Sequence, residues 1–253
     1  MNISAFFTPM KLVLILFTGL IFSQISNAQS LNQKDDKGQK QGRWIVPYTN
    51  SDYIRYEGQF ENDKPVGLFK YYGPDAMIQK EVEYKANNVA YAKFYRDMEM
   101  ISEGKYVDQK RDSLWRFYAN GIVVRTENYS RDTLNGKCIS FYKEGMPSQI
   151  EFFKNGELDS ISISFSKRGK VIEECSYTEG MKHGEYAEYF ADGQKEMSIN
   201  YEYDQPVGTG KVFNNDGSIH YLTHYSKGVV EKIEFQNGEH IDYFEPEIAK
   251  KIE

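Results

Sequence analysis

Short stretches of alternating apolar and polar residues run through most of the chain, and the alternation restarts at a regular interval. Ile78, Val82 and Tyr84 share one parity, as do Met197, Ile199 and Tyr201, and again Ile219, Tyr221 and Tyr225. A period of two places such residues on one side of a β-strand and excludes an amphipathic helix. Ahead of the runs stand aromatic residues followed by a turn: "FYANG" ending at Gly121, "FYKEG" at Gly145, "YFADG" at Gly193. Glycine, and to a lesser degree Asn and Asp, accept the positive φ that tight hairpin turns require. Each unit therefore reads as a β-hairpin.

The hairpins repeat. The turn glycines Gly121, Gly145, Gly169, Gly193 and Gly217 are spaced 24 residues apart, and an aromatic follows each by eight: Tyr129, Phe153, Tyr177, Tyr201 and Tyr225. Upstream the same aromatic falls at Phe60, Tyr84 and Tyr106. A second small residue, at Gly67, Ser113, Gly136, Ser160, Gly184 and Gly208, comes seven after the aromatic, and Gly42 opens the first unit. One such unit cannot bury its own apolar side, whereas neighbours laid edge to edge can. The pattern predicts an all-β fold: tandem hairpins of about 24 residues, eight or nine between Gly42 and Phe244, stacked into one elongated, curved antiparallel sheet. Polar connectors such as "TEGMKH" (Thr178–His183) link the units. The third unit, "AYAKFYRDMEMISEGKY", keeps Phe94, Tyr95 and Tyr106 but has no turn glycine. Residues 245–253, "EPEIAKKIE", are expected to form a terminal cap or tail.

Small residue, aromatic pair, turn glycine, then Tyr and two further glycines is a pattern that resembles the MORN-repeat variant family, whose bacterial members are often labelled YwqK-like antitoxin components. The segments that carry it best are "YTEGMKHGEYAEYFADG" (Tyr177–Gly193) and "NGKCISFYKEG" (Asn135–Gly145). The resemblance implies stacked antiparallel hairpins that serve as an interaction or scaffolding surface.

The N-terminus changes the picture of where the chain works. Lys11 is followed by the apolar run "LVLILFTGLIF" (Leu12–Phe22) and by small residues at Ser26 and Ala28. Eleven apolar residues fall short of the ~20 that span a bilayer. Residues 1–28 read as a signal peptide cut at Ala28–Gln29, which sends the chain to a periplasm or outside the cell. Residues 29–41, polar and without periodicity, read as a linker. The formal charge is −6, with both signs interspersed. That excludes phosphate-driven binding of nucleic acid and docking on anionic lipid.

Candidate chemistry is sparse. His220 and His224 form an H-x-x-x-H, but on a strand they stand roughly 13 Å apart and cannot share a metal ion. Cys138 and Cys175 occupy apolar positions of two hairpins, three strand steps or roughly 14 Å apart, beyond disulfide reach. They are expected as buried thiols. Glu173 and Glu174 point to opposite sides of one strand and cannot flank a scissile bond. No nucleophile motif or glycine-rich loop ahead of a helix is present, so no enzyme activity, metal or cofactor is expected. The expected function is an exported, non-catalytic interaction or scaffold module at the cell envelope or outside, with a protein or glycan partner. The alternatives are a glycan-binding surface protein using aromatic rows, or an immunity-like partner of an exported toxin. Aromatic doublets on the first strands put one ring on each side of the sheet. The candidate binding row is Tyr72, Tyr95, Tyr118, Tyr142 and Phe190.

Overall fold

A computed structural model describes residues 30–236, 238 and 240–242. The expected signal peptide with its cut and the terminal tail at 245–253 lie outside the described residues. Within them the chain is all strand and turn. The strands are β1 (Gln33–Lys34), β2 (Lys40–Pro47), β3 (Ile54–Glu61), β4 (Lys64–Tyr72), β5 (Ile78–Tyr84), β6 (Val89–Arg96) and β7 (Glu99–Val107). Next come β8 (Lys110–Ala119), β9 (Ile122–Ser130), β10 (Thr133–Leu134), β11 (Gly136–Phe141), β12 (Pro147–Lys154) and β13 (Glu157–Phe165). The last are β14 (Val171–Thr178), β15 (Met181–Tyr189), β16 (Lys195–Glu202), β17 (Gln205–Phe213), β18 (Ile219–Ser226), β19 (Val229–Phe235) and β20 (His240–Asp242). Each pairs antiparallel with the next, and β10 and β11 together act as one interrupted partner of β9. The result is a single open meander of hairpins, as the alternation predicts.

Two features differ from the sequence reading. Residues 30–41 do not form a linker, because β1 and the start of β2 lie there and pair Gln33 with Gln41 and Lys34 with Lys40. Asn32 extends this edge: its backbone N–H donates to the Arg43 carbonyl, and its side-chain amide both donates to the Ile45 carbonyl and accepts from the Ile45 N–H. The expected polar connectors are also tighter than loops. At Asn62–Asp63, Arg131–Asp132, Asn155–Gly156, Glu179–Gly180 and Tyr203–Asp204 both residues have positive φ. These are two-residue hairpin turns whose twist matches that of the strands. "TEGMKH" is thus a turn at Glu179–Gly180 flanked by strand. On the opposite side of the sheet, Gly145, Gly169, Gly193 and Gly217 close three-residue loops, each donating its N–H to the carbonyl three residues back, while Gly121 shares a two-residue turn with Asn120.

The two-residue turns are tied to each other along the edge. Asp63 donates its N–H to the Lys40 carbonyl and accepts the Lys40 N–H on its carboxylate. Asp132 does the same with Arg111, and Asp204 with Lys182. The held residue is a cation in each case, and its charge lies over an aromatic ring: Lys40 over Trp44 and Phe60, Arg111 over Tyr129, Lys182 over Tyr186. Where glycine replaces the aspartate, at Gly156 and Gly180, the carbonyl acceptors belong to Leu134 and Leu158.

The second small residue of each unit is a bulge inside a strand. Residues 67–69 of β4 stand opposite Gly58 alone, and residues 113–115 of β8 opposite Gly104 alone. Gly67, Ser113, Ser160, Gly184 and Gly208 all have left-handed φ at this point. The bulge lets the next side chain on the core-bearing face lean back over the preceding strand. The Phe69 ring covers Gly58 and the Trp115 indole covers Gly104, where a Cβ would come within 2.2 Å of the indole. Phe69, Val82, Ala92, Trp115, Cys138, Ser162, Cys175, Ile199, Thr223 and Ile233 are buried along this row. Burial of each large ring contributes roughly 1.5–3 kcal/mol.

Candidate functional site

The unit without a turn glycine also lacks the bulge. β5 and β6 pair without interruption from Tyr84 opposite Ala90 to Lys80 opposite Phe94. The bulges on either side, at Leu68 and Leu114, are thereby separated by four strand steps instead of two. Between them the second face of the sheet forms a groove of about 590 Å³ over Ala92 and Gly104. Leu68, Tyr91 and Leu114 stand along it and are 50%, 49% and 36% exposed. A smaller groove of about 270 Å³ continues past Leu68 toward Arg43 and Glu57.

A ladder of alternating charge runs beside this apolar row. Glu57, Lys70, Glu81, Lys93, Glu103 and Arg116 are successive cross-strand partners on neighbouring strands. Opposite charges directly across a strand pair attract, so the order of signs reinforces the register. The larger groove carries three acids, Glu81, Glu83 and Glu103, and three bases, Lys93, Lys105 and Arg116. Beyond Arg116 the ladder becomes apolar, with Thr126, Ile139, Ile150 and Ile163 in line before Glu174.

The expected binding row meets this ladder. Tyr72, Tyr95 and Tyr118 occupy equivalent, half-buried positions, and their hydroxyls donate to Glu57, Glu81 and Glu103 at 2.8, 2.8 and 2.7 Å. Burial, with the adjacent carboxylate second, pushes each of these phenols up to about 12. The Tyr72 hydroxyl in turn holds the Glu57 carboxyl below the usual glutamate range. Tyr142 and Phe190 are not in this row. They lie one residue further on, where their N–H groups close the turns to Met146 and Gln194, and the Tyr142 hydroxyl donates to the Phe165 carbonyl. The residues in register with Tyr118 are Phe141 and Tyr189, and Tyr189 donates to Glu174. Tyrosine stands in this row where a glutamate faces it. Phenylalanine stands at Phe141, Phe165 and Phe213, where the residue 15 before is Thr126, Ile150 or Ser198.

The sequence reading did not single out Leu68, Tyr91 and Leu114. Leu68 and Leu114 directly follow a second small residue, Tyr91 stands seven after Tyr84 where such a residue is missing, and the only signal was that gap in the series between Gly67 and Ser113. Cys138 and Cys175 are buried and unpaired, on β11 and β14. His224 contacts Thr209 and Glu234, and the His220 ring packs on Tyr221. Glu173 accepts from Tyr186 and Glu174 from Tyr189, on opposite faces. Among the described residues no three His, Cys, Asp or Glu side chains are grouped as a metal site would need.

No family model matches the chain, and no curated protein does. Among solved structures it is similar to a GtfA/B complex bound to UDP and GlcNAc, at TM-score 0.22 and 12% identity over 44% of this chain and 22% of that one. An S. aureus TarM mutant bound to fondaparinux overlaps at TM-score 0.22 and 13% identity, over 55% of this chain and 21% of that one. A Photorhabdus luminescens Tc holotoxin pore overlaps at TM-score 0.22 and 11% identity, over 84% and 13%. The chain spans about a fifth of the length of the first two. Overlaps this weak bear on neither the fold nor the function of this chain.

Proposed function

We propose that this chain is a non-catalytic β-repeat scaffold of MORN-like type, exported to the cell envelope or beyond, that holds a macromolecular partner in the groove over β4–β8. The supporting observation is that the groove arises where the repeat is interrupted. Elsewhere a bulged strand recurs at every second strand. At β6 one bulge is missing, and three large apolar side chains stand half-exposed around the gap. Exposed apolar side chains rimmed by polar ones commonly mark interaction sites. The balanced charges of the lining favour a partner of mixed charge over a polyanion.

The test is capture from envelope fractions with the full chain as bait. The triple variant Leu68→Ser, Tyr91→Ser, Leu114→Ser is the control, with melting temperatures compared first. A partner recovered by the wild type and lost with the folded variant supports the groove. Equal recovery by both transfers the contact to another surface.

A further inference from the structure

We propose that a second copy of this chain packs on the isoleucine-rich stretch of the second face, between β8 and β14, about a two-fold axis parallel to the strands. This surface lies beside the groove over β4–β8 and is independent of the groove's occupant.

The two faces of the sheet exchange character there. From β3 to β8 the core-bearing face holds Phe69, Val82, Ala92 and Trp115, and the second face holds the charged ladder. From β11 to β13 the core-bearing face carries Cys138, Ser140, Gln149, Glu151, Ser162 and Ser164, with Phe153 as its large apolar side chain. The polar groups there satisfy one another. Arg125 donates to Glu127 at 2.6 Å, to Ser140 at 2.7 Å and to Glu151 at 3.3 Å, and Gln149 donates to Ser162 at 3.4 Å. Meanwhile Ile139, Ile150, Phe152, Ile161 and Ile163 of the same strands point to the second face and are partly exposed. A sheet packs the face that carries its apolar side chains against another layer. Among the described residues no second layer covers this one.

The line of side chains across these strands is its own complement. In order it reads Arg116, Thr126, Ile139, Ile150, Ile163, Glu174. A two-fold axis parallel to the strands, between β11 and β12, lays this line over its own reverse. Ile139 then meets Ile150 of the second copy, Thr126 meets Ile163, and Arg116 meets Glu174, each contact occurring twice. An axis across the strands would set Arg116 on Arg116 and Glu174 on Glu174, which like-charge repulsion rejects. Both charged ends have capacity left. Arg116 is 47% exposed and reaches its own Glu103 only at 3.7 Å. One carboxylate oxygen of Glu174 accepts from Tyr189, and the other faces out. Lipid or an unrelated apolar partner would use the isoleucines alone, whereas a reversed copy also uses both ends. Aligned packing of two sheets keeps their strands within about 30°. The contact measures roughly 30 by 20 Å, or 600 Å² a side, at the lower limit of stable interfaces. A dimer in the micromolar range follows, with the isoleucines supplying affinity and the exposed ion pairs fixing the register.

The experiment is sedimentation velocity of the full chain over a concentration series through the micromolar range. The wild type is expected to pass from monomer to dimer. Ile150→Lys, beside the axis, should abolish the dimer. Arg116→Glu should raise Kd about tenfold, and adding Glu174→Arg to it should restore the wild-type value. Circular dichroism checks the fold of each variant. Leu68→Ser, Tyr91→Ser, on β4 and β6 outside the contact, should dimerise as the wild type does. The proposal is overturned if the chain stays monomeric throughout, if folded Ile150→Lys still dimerises, if Arg116→Glu leaves the dimer unchanged, or if Glu174→Arg fails to rescue it. A monomer that floats with phosphatidylcholine vesicles, and loses flotation with Ile150→Lys, would assign the face to lipid and overturn the second copy as well. Should Ile150→Lys fail to fold, the charge reversal and its rescue decide the question.

Discussion

At the scale of single residues, two glycines show why small side chains recur for unlike reasons. Gly104 has ordinary strand backbone but lies under the Trp115 indole, whereas Gly67 has open space around it and a φ of +66°. Gly104→Ala drives a methyl into the indole and should cost about 1–3 kcal/mol, as overpacking does. Gly67→Ala should cost about 1 kcal/mol from backbone strain alone. Urea unfolding of both, beside a Trp115→Leu, Gly104→Ala double variant, separates the causes: only the Gly104 loss should shrink when the indole is gone. The Tyr72–Glu57 bond gives a pH signature. The Glu57 carboxyl is held below its unfolded value by the Tyr72 hydroxyl. Its stabilisation is complete above the usual glutamate range and is lost as pH falls through the lower folded value. The stability gap between wild type and Tyr72→Phe should be open at pH 7 and narrow as the pH falls below the usual glutamate range. A gap independent of pH would show that the carboxylate gains nothing from the phenol.

At the scale of the hairpin, the aspartate clamps govern how one unit is fastened to the next. Asp132 has a φ of +70°, and its carboxylate accepts the Arg111 N–H at 2.7 Å. Asp132→Ala loses that bond and keeps the strained backbone, a cost of about 1–2 kcal/mol. Asp132→Gly loses the bond and relieves the backbone, so its melting temperature should lie clearly above that of the alanine variant. The reverse order would mean that the turn is not left-handed. These clamps mark the limit of what could be read in advance. Strand, hairpin and 24-residue period were legible because alternation and turn glycines are local. The pairing of Asp63, Asp132 and Asp204 with Lys40, Arg111 and Lys182 joins residues 21–23 apart in neighbouring turns, and no local pattern reports it. The offset of Tyr142 and Phe190 was hidden similarly. The doublets Phe117–Tyr118 and Phe141–Tyr142 look alike in sequence, but the bulges set the register, and Phe141 takes the place of Tyr118. The groove was half legible, since the irregular third unit was evident but its missing bulge shows only in the strand pairing.

At the scale of the whole molecule, each hairpin touches its neighbours and little else. Stability is then close to a sum over units and interfaces. Deleting residues 146–169, one period between Gly145 and Gly169, should leave a folded sheet one unit shorter, with an unchanged β spectrum and a slightly lower melting temperature. Deleting residues 146–157 breaks the phase and should unfold the neighbouring hairpins. Equal damage from both deletions would show that the fold depends on contacts beyond adjacent units.

A sheet that grows by adding identical pieces carries no rule for where to stop. Its first edge would welcome β2 of another molecule as readily as it welcomes a hairpin of its own. Asn32 supplies the missing rule: its side-chain amide takes both backbone groups of Ile45, and Pro47, two residues on, has no N–H to offer. An amide side chain is thus a counterfeit strand one residue long, satisfying the edge without presenting a further one. Asn32→Ala should reopen that template, and concentration-dependent growth into filaments, seen by light scattering in the variant and not in the wild type, would identify this residue as what keeps a polymerisable architecture finite.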